Sequence, residues 1–232
     1  MNKETVLITG SSTGLGESLA LVFARSGYDI ILHGRNRSNL ERVGKKLSDI
    51  GSDFSVVEGD LMSKETLTAL ERTAVERNAS ILINNAAAIL DAYGIPFEEI
   101  DDEKIEKVFT TNLTALVKLT RRLYQIFLKN KSGTIINLNS LVGLEIKESN
   151  ILYGASKWGL RGFTNALALE AKKKNVRVIG VYLSRVKTRQ EFIYGMEPED
   201  TAQKIYAFYK DGDGTELILD ERPEEYKPTR YL

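Results

Sequence analysis

The sequence predicts an α/β protein built on one doubly wound, parallel, seven-stranded sheet with helices on both faces. Three observations carry this. Short apolar runs alternate with longer stretches whose apolar residues recur every three or four positions. The apolar runs are unbroken rather than alternating with polar residues, as in strands covered on both faces of a parallel sheet. The alternation repeats along the chain, and repeated βαβ units wind right-handed onto one sheet. No linker, internal repeat or low-complexity segment divides the 232 residues. A single domain over 1–232 is therefore expected, with a short extended tail at about 221–232.

Each element follows from its residues. Val6-Leu7-Ile8 makes the first strand. Leu15, Leu19, Val22 and Phe23 follow at helical spacing, and Gly27 closes that helix. Residues 29–32 form the second strand. The helix over 38–50 takes Ser38 as its N-cap, with Glu41 three positions on. Residues 54–57 form the third strand, and Ser63 and Thr66 open a helix that ends near Asn78. Residues 81–83 are the fourth strand. One long helix is expected over 103–130, carrying Ile105, Val108, Phe109, Leu113, Leu116 and Leu123. Residues 134–138 form the fifth strand, 153–174 a helix, and 176–182 the sixth strand. A short helix follows Pro198, and 216–219 is the seventh strand. From Arg222 the charged, proline-bearing tail reads as an extended surface segment.

Composition removes several function classes. The 32 basic residues balance 32 acidic ones. No basic field exists to hold a phosphate backbone, so nucleic acid is not expected as a partner. The absence of cysteine excludes disulfides, thiol catalysis and thiolate metal sites. His33 is the single histidine, which excludes a multi-histidine metal site and argues against a Ser-His-Asp triad. No metal site is expected. Proton chemistry falls mainly to Asp, Glu, Lys or Tyr. No apolar run approaches the ~20 residues of a membrane span, and the N-terminus lacks the features of a secretory signal. A cytoplasmic protein is expected, with no membrane partner. Near-zero net charge leaves self-association open.

Thr9-Gly10-Ser11-Ser12-Thr13-Gly14-Leu15-Gly16 joins the first strand to the first helix. Glycine permits the tight turn and lets backbone approach a pyrophosphate. The helix behind it offers free N–H groups and a positive dipole end. The Lys-Ser/Thr ending of a nucleoside-triphosphate loop is absent, which disfavours an NTPase. The second strand ends at His33-Gly34-Arg35-Asn36, where dinucleotide folds place their ribose discriminator. An acidic residue there would accept the 2′-hydroxyl of NAD(H). The Arg35 guanidinium instead suits a 2′-phosphate, which favours NADP(H). His33 reads as a packing residue near the adenosine side.

Tyr153-Gly154-Ala155-Ser156-Lys157 puts a phenol and an ammonium one helical turn apart. Free tyrosine has a pKa near ~10, and a cation held nearby favours the phenolate. Ser140 ends the fifth strand, and the carboxyl ends of parallel strands border the ligand crevice. Ser140, Tyr153 and Lys157 can therefore converge. Asn112 sits inside the long helix, an unfavourable place by propensity. It is either exposed or back-bonded, or a buried amide that organises water beside the lysine.

Together these residues resemble the short-chain dehydrogenase/reductase family. The resemblance rests on the glycine pattern Gly10, Gly14, Leu15 and Gly16, and on Asp60-Leu61 after the third strand. Asn84-Asn85-Ala86, Asn112, Ser140 and Tyr153 with Lys157 complete it, over about residues 3–208. It implies a Rossmann fold and hydride transfer between NADP(H) and a carbonyl/alcohol pair. By resemblance Tyr153 is the general acid in reduction and the base in oxidation. Lys157 holds the nicotinamide ribose and lowers the Tyr153 pKa. Ser140 hydrogen-bonds the substrate oxygen, and Asn112 anchors a water that relays protons from Lys157. The implied cofactor contacts are Gly10, Ser12, Thr13, Gly14, Leu15, Gly16, Arg35, Asp60, Leu61, Asn84, Ala86, Tyr153, Lys157, Val186 and Thr188. Asp60 would contact adenine, Asn84 and Ala86 the ribose, and Thr188 the carboxamide. A homodimer or homotetramer acting on a small carbonyl or alcohol substrate is expected.

The chain departs from the family pattern in places. Ala87 replaces a glycine, and Thr13 stands where many NADP-using relatives carry Arg or Lys. Leu183-Ser184 replaces Pro-Gly. Only nine residues separate Thr188 from Pro198, which leaves little room for a substrate lid. The usual glycine-rich C-terminal ending is absent. Ala87 and Leu183-Ser184 motivate an alternative: a non-catalytic protein that binds or senses NADP(H) on the same fold. The substrate entrance is expected between Leu141 and Leu152 and between Arg189 and Glu197. Its mixture of Val142, Leu144, Ile146 and Phe192 with Glu145, Lys147 and Glu148 does not select a substrate.

Overall fold

The computed structural model describes residues 3–88, 94–146, 151–188 and 194–227. Among these, seven strands form one parallel sheet: β1 (Thr5–Ile8), β2 (Asp29–Gly34), β3 (Phe54–Glu58), β4 (Ala79–Asn84), β5 (Gly133–Ser140), β6 (Val176–Leu183) and β7 (Glu216–Leu219). Their spatial order is β3-β2-β1-β4-β5-β6-β7, and each neighbouring pair is parallel. The winding reverses between β1 and β4. In open α/β sheets the ligand crevice lies at such a switch point, beyond the carboxyl ends of the strands. The helices are α1 (Gly14–Arg25), α2 (Arg37–Ile50), α3 (Lys64–Glu76), α4 (Asp102–Phe109), α5 (Ala115–Asn130), α6 (Ile151–Ala171) and α7 (Pro198–Asp211).

Successive strand residues point to opposite faces, and here both faces are covered. Val6, Ile8, Ile30, Leu32, Ile81, Ile83, Ile136 and Val181 pack with Leu19 and Phe23 of α1, Leu40 and Leu47 of α2, and Ile205 of α7. Leu7, Ile31, Leu82, Ile135 and Val178 face the other way, onto Leu67 and Leu70 of α3, Leu119, Leu123 and Phe127 of α5, and Ala171 of α6. This explains the unbroken apolar runs. Each fully buried Leu or Ile contributes ~1.5–3 kcal/mol.

Four expectations change in detail. Asn36, not Ser38, caps α2: its side chain accepts from the Asn39 N–H at 2.9 Å, while Ser38 Oγ donates to it at 2.8 Å. The long helix is interrupted. A π turn, Thr110–Thr114, separates α4 from α5 and contains Asn112. Helix α6 starts earlier than expected, at Ile151, and the turn that follows it, Lys172–Lys174, is 3₁₀. Arg222 does not start a loose tail. It pairs with Asp220 at 2.7 Å and with Glu145 at 2.8 Å, and so ties the segment after β7 to the turn after β5. Residues 228–232 lie outside the described residues.

Candidate active site

The glycine loop is a built cradle. Gly10 and Gly14 have φ of +66° and +56°, a region that glycine adopts without strain. A Cβ on Gly16 would lie 2.2 Å from the Gly10 carbonyl oxygen, so α1 packs directly onto the loop. Thr13 is the N-cap of α1 but makes no side-chain capping bond. The Thr13 side chain thus leaves the first-turn N–H groups of α1 uncapped, and such groups favour anions. Ser12 lies against Gly34, where a Cβ would meet its hydroxyl at 2.8 Å.

Three residues hold this loop that no sequence pattern assigned to it. Asn85 Nδ2 donates to the carbonyls of Thr9 and Gly10 at 2.9 and 3.0 Å. The His33 ring bridges two backbones: Nδ1 accepts from the Gly10 N–H at 3.2 Å, and Nε2 donates to the Gly59 carbonyl at 3.1 Å. Burial holds this imidazole down to about 4, so it is neutral, with its proton on Nε2. Arg42 of α2 donates to the Ser12 carbonyl at 3.1 Å and grips Glu17 of α1 through both nitrogens at 2.6 Å.

The residues expected around a dinucleotide separate into two groups. Arg35 and Asp60 come together at the ends of β2 and β3, 3.8 Å apart, and the Arg35 side chain is 74% exposed. Ala86 sits against Gly10. Thr188 packs on Gly14, where a Cβ would come within 2.9 Å of its own. Val186 makes a parallel bridge to Met196, which closes the base of the loop after β6. By contrast, the Leu15 and Leu61 side chains belong to the core. The Asn84 side chain is also turned away, a correction to its expected place beside the ribose. It is 2% exposed, and its Nδ2 donates to Thr120 Oγ1 at 2.9 Å and Asn137 Oδ1 at 2.8 Å. Asn84 ends β4 with its side chain toward α5, so its neighbour Asn85 serves the loop.

Two departures have plain places in the fold. Ala87 is exposed. Leu183 completes β6, and Ser184 extends the pairing: its N–H donates to the Leu219 carbonyl at 2.9 Å. Lys147, Glu148 and Phe192 of the expected entrance lie outside the described residues.

Ser140, Tyr153 and Lys157 come together at the carboxyl end of β5, and Asn112 bonds Ser156 of the same helix as Tyr153 and Lys157. The Ser140 hydroxyl faces the Tyr153 phenol and stabilises its ionised form, but burial dominates and pushes Tyr153 up to about 12. This is opposite to the lowering expected from Lys157. The reason is geometric: Lys157 Nζ lies 5.6 Å from the Tyr153 ring centroid and donates to the Leu138 carbonyl at 2.9 Å. Burial brings Lys157 itself down to about 8. Asn112 is 1% exposed and fully used. Its Oδ1 accepts from the Ala88 N–H at 2.7 Å, and its Nδ2 donates to the Ala88 carbonyl at 3.0 Å and to Ser156 Oγ at 3.1 Å. A π turn often marks a functional position in a helix. Here it aims a polar side chain between α6 and the segment after β4.

The short chain dehydrogenase family model matches residues 4–192. The chain belongs to that family. It is similar to acetoacetyl-CoA reductase of Acinetobacter sp. strain RA3849, 32% identical over 216 residues, covering 88% of this chain and 86% of the relative. It is 27% identical over 214 residues to the peroxisomal hydratase-dehydrogenase-epimerase of Neurospora crassa, covering 88% of this chain and 23% of that longer protein. Among solved structures, a short-chain dehydrogenase from Sphingobium yanoikuyae in complex with NADPH is 28% identical. Its TM-score is 0.83, over 93% of this chain and 86% of the other. The chain is thus an oxidoreductase of this family on the family's Rossmann fold.

Proposed function

We propose that this protein is an NADP(H)-dependent oxidoreductase that interconverts a carbonyl and a secondary alcohol, with Tyr153 as the proton donor and acceptor. The observation that carries the reading is the convergence of Ser140, Tyr153 and Lys157 at the carboxyl end of β5, beside a glycine cradle. The residues fit the cofactor. The loop Gly10, Ser12, Thr13, Gly14 and Gly16 with the uncapped α1 terminus suits the pyrophosphate. Arg35 would hold a 2′-phosphate and Asp60 the adenine, and Val186 and Thr188 would border the nicotinamide. Bound there, the nicotinamide supplies or accepts the hydride.

The chain's own residues handle the proton. With its pKa pushed up to about 12, the Tyr153 phenol is protonated at neutral pH and is ready to donate to a carbonyl oxygen. Ser140 orients that oxygen. Lys157, brought down to about 8, exchanges a proton near neutral pH, 5.6 Å from the Tyr153 ring centroid. Asn112 holds the segment at Ala88 against α6. Positioning of this kind supplies much of the acceleration, and a placed acid adds roughly 10²–10⁴-fold. The substrate is a small carbonyl or alcohol compound, the assembly a homodimer or homotetramer, and the setting cytoplasmic. The alternative, a non-catalytic protein that binds NADP(H), makes no use of the pairing of Ser140 with Tyr153.

The test is NADPH oxidation against a carbonyl panel that begins with acetoacetyl-CoA, because a relative carries that name. Tyr153→Phe should lose at least ~10²-fold in turnover while cofactor affinity is kept. Equal turnover in that variant would remove Tyr153 from the mechanism.

A further inference from the structure

Asn139 precedes Ser140 in β5 and is 5% exposed. Its Nδ2 donates to the Lys157 backbone carbonyl at 3.0 Å, while its Oδ1 accepts from the Ser140 N–H at 2.8 Å. Gly143, in the turn just beyond, lies flat against this amide: a Cβ there would come within 2.7 Å of Oδ1. One residue earlier, the Leu138 carbonyl accepts from Lys157 Nζ at 2.9 Å. Two consecutive residues of β5 thus hold Lys157 at both ends, one by its amine and one by its backbone.

We infer that Asn139 is a positioning residue: its amide sets the spacing between the strand that ends in Ser140 and the helix that carries Tyr153 and Lys157. The inference rests on the oxidoreductase reading above and deepens it. A buried amide placed only to fill the core would need two satisfied partners of any kind. This one joins the backbones of two proposed catalytic residues and recruits a glycine to fit around it. A hydrophobic residue of similar size could fill the space but could not hold the two backbones in register. Small displacements at such sites are costly, since ~1 Å of misplacement reduces a rate about 10²-fold.

The experiment compares wild type with Asn139→Ala and Asn139→Asp. The aspartate keeps the shape and the acceptor for Ser140 but loses the donor to Lys157, and it serves if the alanine variant folds poorly. We expect kcat to fall roughly 10–100-fold in both variants, with the NADPH dissociation constant within about threefold of wild type. A kcat within threefold of wild type in either folded variant, with only the melting temperature lowered, would reduce Asn139 to a core filler and overturn the inference. A wild type without turnover would defeat the oxidoreductase reading instead. Hydrogen exchange then judges the spacing alone: Asn139→Ala should speed exchange in residues 138–146, and unchanged exchange there would overturn the inference.

Discussion

The Gly10 N–H donates to Nδ1 of His33 at 3.2 Å, and this bond requires the single histidine of the chain to stay neutral. Protonation would put a second N–H where an acceptor is needed, inside a 2% exposed site. Burial accordingly holds His33 down to about 4, against an ordinary 6.5. The unfolded chain takes up this proton first as pH falls. The contribution is therefore fully present above pH 6.5 and is lost as pH falls toward 4. The full loss for this shift is about 3 kcal/mol. Denaturant melts at pH 7.0 and 4.5 should show it, and His33→Asn, which keeps an acceptor near the Nδ1 position, should flatten that slope.

Lys157 presents the opposite case, a charge that the fold keeps at a cost. It is 4% exposed, and burial brings it down to about 8 from 10.5. The folded pKa is the lower one, so the associated stability is present only above pH 10.5 and is absent at neutral pH. Lys157→Met removes a cost of about 3 kcal/mol and forfeits about 1 kcal/mol of hydrogen bonding to Leu138. The variant should melt higher than wild type at pH 7 and be inactive. A lower melting temperature would show that the ammonium is better compensated than this geometry implies.

Arg35 carries most of the expected cofactor discrimination, because Thr13 offers no second cation. A charge-assisted bond to a phosphate is worth about 1.5–3 kcal/mol. Arg35→Ala should weaken NADPH binding roughly 10–100-fold and leave NADH within threefold. The side chain is 74% exposed, so the NADPH preference should shrink as salt rises. Titrations at two ionic strengths measure both effects.

Arg222 bridges Asp220 and Glu145, and these three side chains are no more than 19% exposed. Arg222→Met removes the guanidinium that ties the segment after β7 to the turn after Ser140. It should lower stability by roughly 1–3 kcal/mol. Substrate KM should rise while NADPH affinity holds, which steady-state kinetics would resolve.

The sheet and its crevice were legible because apolar runs and glycines respond to local rules. The strands follow from their unbroken hydrophobicity, and Gly10 and Gly14 from the tight turn that glycine permits. Ser140, Tyr153, Lys157 and Asn112 are readable from residue type and order; the structure sets Lys157 5.6 Å from the Tyr153 ring and bonds Asn112 to Ser156. What escaped depends on side-chain direction and long-range partners. Asn84 and Asn85 are equivalent in sequence, but only the strand's end decides which one faces the core. Arg42 carries no sequence signal for the loop, since its partner Glu17 lies 25 residues away. The π turn was hidden because its five residues fit an unbroken helical period. The Tyr153 pKa was misjudged because sequence spacing shows a nearby cation but not its competing carbonyl or the burial.

Calorimetric titration of the purified protein with NADPH and with NADH tests the central claim most directly. The account predicts NADPH binding at least tenfold tighter than NADH, through the glycine cradle and Arg35. Tighter binding of NADH, or no binding of either, would contradict it.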